Sequence, residues 1–142
     1  MKLIVLPPDT ASPYKPINSS EETQIKSIDY SDLSSIPKSS FNEVVAFNVL
    51  ESSEKPLLED LLTKLAKGGK LTVRGEDLYE CSKSVASGAM PSDIFEAKII
   101  KDKAHCTIFS DLLMKLQSLE GYVVIFGSIL GTEYMVEVIK NA

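Results

Sequence analysis

Two small groups of side chains in this 142-residue chain could do chemistry by type and spacing. Glu76 and Asp77 stand together just after the strand-like run Lys70–Arg74 and Gly75. Acids past the C-terminal end of a parallel strand lie where α/β proteins bind ligands, so the pair could hold a metal or act as a general base. The same residues suit the first turn of a helix, where carboxylates complement the helix dipole, and that reading is preferred. His105 and Cys106 are adjacent and suggest a Cys–His dyad. Sequence neighbours point apart, and no orienting acid is evident, so a nucleophilic role is not expected. Glu59-Asp60 and Glu21-Glu22 read as solvated charges. The sequence has no Walker loop, no Gly-x-Ser-x-Gly and no His-Glu-x-x-His.

Composition narrows the classes further. One histidine excludes His-pair catalysis and multi-His metal sites. Cys81 and Cys106 have no zinc or CxxC spacing and read as buried free thiols. The net charge is −5, Arg74 is the only arginine and the lysines are scattered, so nucleic acid is not expected as a ligand. Apolar residues make up 44% and charged residues 25%, which suits one globular domain with a real core. No apolar run approaches the roughly 20 residues that span a bilayer. No signal-peptide pattern opens the chain, so a cytoplasmic location is expected.

The elements that must position these groups follow from apolar pattern and punctuation. Lys2–Leu6 reads as a buried strand that stops on Pro7-Pro8. Residues 10–40 are rich in Ser, Thr and Pro, with short strand signals at Lys15–Asn18 and Gln24–Tyr30 and a loop at 34–40. Glu43–Leu50 is a near-continuous apolar run, typical of a parallel strand buried on both faces. Pro56 opens a helix to about Lys67, with Leu57, Leu58, Leu61, Leu62 and Leu65 on one face and Gly68-Gly69 as its stop. Strand Lys70–Arg74, a helix over 76–87 and a short helix from Pro91 to about Ile99 come next. A helix then runs from Thr107 or Ser110 to Leu119, with Ile108, Leu112, Leu113 and Leu116 inward. Tyr122–Leu130 and Glu133–Ile139 are strands joined by Gly131-Thr132, a hairpin signal. The β-α-β-α-α-β-β order predicts an α/β fold, with a mostly parallel sheet and a C-terminal antiparallel hairpin. One domain is expected over 1–142, with 1–41 divergent and 42–142 as its core.

The stretch NEVVAFNVLESSEKPLLEDLLTKLAKGGKLTVRGEDLYE, followed by Glu-Gly-Tyr-Val-Val and Glu-Tyr-Met-Val-Glu-Val-Ile-Lys, resembles the class I S-adenosylmethionine-dependent methyltransferases. The resemblance covers Asn42 to Lys140. It implies a Rossmann-like sheet with helices on its faces. The compact layout is similar to methyltransferase-like proteins often encoded by bacteriophages. In the family, glycines after the first strand let the backbone approach the methionine end of the cofactor. An acid ending the second strand accepts hydrogen bonds from the ribose hydroxyls, and a further acid lies beside the adenine. If a cofactor is held, the resemblance arranges Leu6, Asp9, Asn18, Asp29, Asp32, Asn48 and Glu51 around it.

The chain departs from that pattern at its start. Pro7-Pro8 replaces the glycines and removes two N–H donors. Asn18, uncharged, falls at the expected ribose position, and Asp29 or Asp32 is left for the adenine. Only six residues separate Pro8 from Lys15, too few for a parallel crossover. Either the first strands are not paired in the family's way, or one sheet face lacks its cover, which a protein partner or a second copy would supply. These departures favour a non-catalytic methyltransferase-like protein with no cofactor, acting through protein contacts, as a phage virion or host-interaction component would. The alternatives are an active methyltransferase with an altered cofactor loop, in which Asn48 and Glu51 line the methyl-transfer pocket, and a small-ligand binding module.

Overall fold

The computed structural model describes residues 1–8 and 25–141. Six strands form one sheet: β1 (Lys2–Leu6), β2 (Ile25–Asp29), β3 (Phe41–Phe47), β4 (Leu65–Glu76), β5 (Tyr122–Leu130) and β6 (Glu133–Lys140). Their order is β2-β1-β3-β4-β6-β5. β2, β1, β3 and β4 are parallel. β6 is antiparallel to both β4 and β5, so it alone runs against the rest. The helices are α1 (Val49–Ser52), α2 (Leu58–Thr63), α3 (Leu78–Ala86), α4 (Ser92–Phe95) and α5 (Phe109–Gln117). A 3-10 turn covers Tyr30–Ser35, and a π-helical turn, Glu96–Ile100, continues α4. The mostly parallel α/β sheet and the terminal hairpin are as expected from sequence.

Register explains the core. Leu3, Val44, Leu71 and Val138 share one row across the sheet, and Val5, Ala46, Val73 and Val136 share the next. All are buried, and α2 and α5 bring Leu61, Leu62, Leu112 and Leu116 against them. Each fully buried aliphatic side chain is worth about 1.5–3 kcal/mol. The opposite face alternates differently. Ile4 and Val45 are buried, but ion pairs Lys2–Glu43 (3.3 Å), Lys70–Glu137 (3.5 Å) and Arg74–Glu133 (2.6 Å) lie beside them. Arg74 also stacks over Phe47, 5.1 Å from its ring centre. The stretch of sheet expected to be apolar and bare therefore carries paired charge.

Several local expectations are corrected. The strand beside β1 is Ile25–Asp29, so residues 7–24 form the connection, more than the dozen a parallel crossover requires. The Lys15–Asn18 segment lies outside the described residues. The helix expected over 56–67 ends at Thr63, because Leu65 already belongs to β4 and pairs with Phe41. Gly68-Gly69 sit inside β4 at an irregularity, not at a helix end. Gly68 has φ +80°, and a Cβ on Gly69 would lie 2.8 Å from the Ala66 carbonyl. β3 stops at Phe47 because Asn48 turns left-handed, φ 55°. Ile108 is 37% exposed and precedes α5, so it does not join the inward face. Cys81 is buried as expected, but Cys106 is exposed. No helix among the described residues is long and apolar enough to cross a membrane.

Candidate functional site

The chain leaves β1 for β2 on one side, then returns to place β3 on the other. A reversal of this kind opens a crevice beyond the C-terminal ends of the strands, where α/β proteins bind ligands. Here the crevice is a cavity of about 770 Å³. Pro7 and Pro8 from the end of β1, Tyr30 from the end of β2, Asn48 from the end of β3, and Lys101 and Lys103 line it. A neighbouring cavity of about 690 Å³ shares Tyr30, Ser52, Asp102 and Lys103.

Asp29 is the last residue of β2 and lies opposite Leu6 in the register. Its carboxylate accepts hydrogen bonds from the Ser31 backbone N–H (2.8 Å) and the Ser31 hydroxyl, both on Oδ1. It thereby caps the 3-10 turn. These bonds hold its carboxyl below the usual carboxylate range. Asn18, the expected counterpart of the ribose acid, lies outside the described residues, as does Asp9. Among the described residues, the strand next to β1 ends in an acid, Asp29. Asp32 is exposed within the 3-10 turn. Leu6 is buried, a core residue rather than a cavity wall.

Asn48 holds the left-handed conformation that asparagine tolerates better than most residues. Its N–H donates to the Arg74 carbonyl (2.9 Å), and its carbonyl accepts from the Ser52 hydroxyl (2.7 Å). The backbone is thus fixed, while the side-chain amide makes no capping bond. Glu51, one turn on, is 4% exposed and turns into the protein, away from the cavity. The Tyr134 hydroxyl donates to its Oε1 at 2.5 Å. Oε2 has no hydrogen-bond partner among the described residues. Burial pushes the Glu51 carboxyl up, an effect that Tyr134 and the nearby Thr107 side chain partly offset. Burial and the neighbouring Glu51 likewise raise the Tyr134 phenol. Gly75 leaves room for the pair, since a Cβ there would sit 2.5 Å from Glu51 Oε1. The Glu51 carbonyl also accepts the N–H groups of Ala104 and His105 (2.8 and 2.9 Å). Glu51 therefore joins α1, β6 and the loop that follows the Lys101–Lys103 wall.

The Glu76-Asp77 pair is spent on the fold. Asp77 caps α3 through Glu80 N–H (2.7 Å) and also receives the Phe109 N–H (2.7 Å), so one carboxylate caps α3 and takes the first amide of α5. Glu76 receives Lys98 (2.9 Å) and the Thr132 hydroxyl (2.8 Å). His105 is exposed, its Nε2 3.2 Å from the Glu54 carbonyl. No group of three or more His, Cys, Asp or Glu among the described residues could hold a metal. Sequence reading missed Tyr30, Lys101 and Lys103. Tyr30 could have been found as the residue after a strand-ending acid. The lysines carry no local signal, because the fold brings them in from more than 50 residues beyond Asn48.

No protein-family model matches this sequence, and no curated protein matches it. Solved structures do match. A SAM-dependent methyltransferase from Methanosarcina mazei superposes with a TM-score of 0.61 at 11% identity, over 98% of this chain and 92% of that one. A SAM-dependent methyltransferase from Thermotoga maritima superposes with a TM-score of 0.54 at 15% identity, over 82% of this chain and 64% of that one. The chain has a class I SAM-dependent methyltransferase-like fold. The expectation of no cofactor is corrected by these neighbours: both are SAM-dependent, and the cofactor they point to is S-adenosylmethionine.

Proposed function

We propose that this chain is a SAM-dependent methyltransferase that holds its cofactor across the ends of β1, β2 and β3. One observation carries the reading. Asp29, an ionised carboxylate, ends the strand that pairs with β1, and the next residue, Tyr30, lines the crevice. The family resemblance assigns that position to the ribose hydroxyls. The crevice, at about 770 Å³, falls within the usual size of small-molecule sites. The non-catalytic reading leaned on the lost glycines, a missing acid and a crossover too short for the first helix; Asp29 and the placement of β2 speak against the last two.

The bound cofactor would supply an electrophilic methyl group on its sulfonium. The remaining work is positioning, which needs few obligatory side chains. Asp29 would accept the ribose hydroxyls. Asn48, fixed in its backbone and uncommitted in its amide, would orient the methyl acceptor. Lys101 and Lys103 would form the outer wall. Pro7 and Pro8 offer no N–H donors, so they would grip the methionine end less firmly than a glycine turn.

Calorimetric titration with S-adenosylmethionine and S-adenosylhomocysteine tests this. Binding in the micromolar range is expected. Asp29→Ala should weaken it at least tenfold in a protein that still folds. No heat at millimolar ligand would overturn the reading.

A further inference from the structure

β5 closes one end of the sheet. Its nine residues, YVVIFGSIL, include no charge and no proline. Edge strands are usually blunted by lysine, proline, brevity or a bulge. Here the irregularity lies between Val124 and Phe126, and the five residues Phe126–Leu130 run in regular register beyond it. Tyr122, Val124 and Ile129 pack on the core. Val123, Phe126 and Leu130 point to the other face, 44%, 44% and 86% exposed. Across the ladder they meet Ile139, Glu137 and Glu133 of β6. Both of those acids are held by cations on β4, Glu137 by Lys70 and Glu133 by Arg74. The charge is thus neutralised on the side away from the edge, and the strip along β5 is left apolar. Contiguous exposed apolar surface of this kind marks an interface.

We propose that β5 pairs antiparallel with β5 of a second copy of this chain, joining two sheets across a two-fold axis. The charge pattern selects that occupant. A two-fold sets each strand against itself, so any charge near the axis would face its own like charge at a cost. A strand with no charge in nine residues meets that condition, whereas a foreign strand would impose no such rule. The regular stretch Phe126–Leu130 is about 17 Å long at ~3.4 Å per residue, enough for a short ladder. Val123, Phe126 and Leu130 of both copies then share one apolar face.

Sedimentation equilibrium with light scattering on the intact chain decides the matter. The native protein should show twice the 15.6 kDa chain mass across micromolar concentrations. Phe126→Lys and Leu130→Lys, each placing two like charges in the shared apolar face, should raise the dimer dissociation constant at least about tenfold. Circular dichroism should remain native in both. Should Phe126→Lys fail to fold, Leu130→Lys decides, since that side chain is almost free of the fold. Amides of Phe126–Leu130 should exchange slowly in the native protein and faster in the variants. A native protein that stays at 15.6 kDa, or a dimer that both variants leave intact, would overturn the proposal.

Discussion

Asp29 ends a parallel strand and Asp77 follows one, and both cap the turn that comes next. They differ in what remains of the carboxylate. Asp77 is 1% exposed and spends both oxygens on backbone amides, Oδ2 on Glu80 and Oδ1 on Phe109. Asp29 keeps its carboxylate at the surface, and the two bonds from Ser31 that cap the turn both fall on Oδ1. The same residue type at the same kind of place thus works as an internal rivet at the end of β4 and as an exposed charge at the end of β2. Position past a strand is therefore a poor guide to function until burial is known. Carboxylates that bind ligands keep an oxygen facing solvent.

The strongest way to break this comparison is to remove the rivet. Asp77→Ala leaves two buried or half-buried N–H groups without acceptors and uncaps α3. Losing the cap and stranding a donor should cost about 3 kcal/mol, or a melting point about 10 °C lower. Chemical denaturation measures this directly. A loss below about 1 kcal/mol would mean that water replaces the carboxylate and that Asp77 is as free as Asp29.

Asp29→Ala should do the reverse. Its melting point should hardly move, while affinity for S-adenosylmethionine falls about thirtyfold, the typical worth of hydrogen bonds to a charged group. Asp29→Asn should be intermediate, because it keeps one acceptor and loses the charge. A variant that binds normally would show that the second-strand acid is only a cap here.

Burial also explains what could and could not be read from sequence. The strands Lys2–Leu6, Tyr122–Leu130 and Glu133–Ile139 were legible because their apolar pattern is local and their punctuation is strong. The leucines from Leu57 to Leu65 kept a helical spacing past the true end of α2, since spacing alone cannot reveal that Leu65 pairs with Phe41. From sequence, Asp29 and Asp32 are alternatives for the adenine acid. Its role depends on which segment pairs with β1, a choice made by long-range contact. The Glu51–Tyr134 bond joins residues 83 positions apart, and no local pattern announces it.

That bond yields the next test. Burial raises the Glu51 carboxyl above the ordinary carboxylate range, while in the unfolded chain it ionises at its ordinary value. Above that pH the unfolded state releases a proton that the folded state keeps, so stability falls as pH rises through the folded value. Glu51→Gln keeps the acceptor for Tyr134 and removes the titration. The two proteins should be equally stable in acid, with the variant ahead at neutral pH. A variant that is weaker at neutral pH would mean that Glu51 is ionised in the fold and stabilised by charge, with Lys103 as the nearby cation.

The smallest effect is expected at Glu133, which separates charge from burial. Glu133 receives Arg74 at 2.6 Å, as short a contact as any that Asp77 makes. Both partners are about 40% exposed, however, so water and salt share the interaction. Such pairs are worth about 0–1 kcal/mol. Glu133→Gln should cost no more than about 0.5 kcal/mol, and less still in high salt, where the Debye length shrinks to about 3 Å. Urea denaturation at low and high salt measures both quantities. A loss comparable to that of Asp77→Ala would trace the weight of Asp77 to its charge. A small, salt-sensitive loss would trace it to burial and to two satisfied amides, the features that Asp29 lacks.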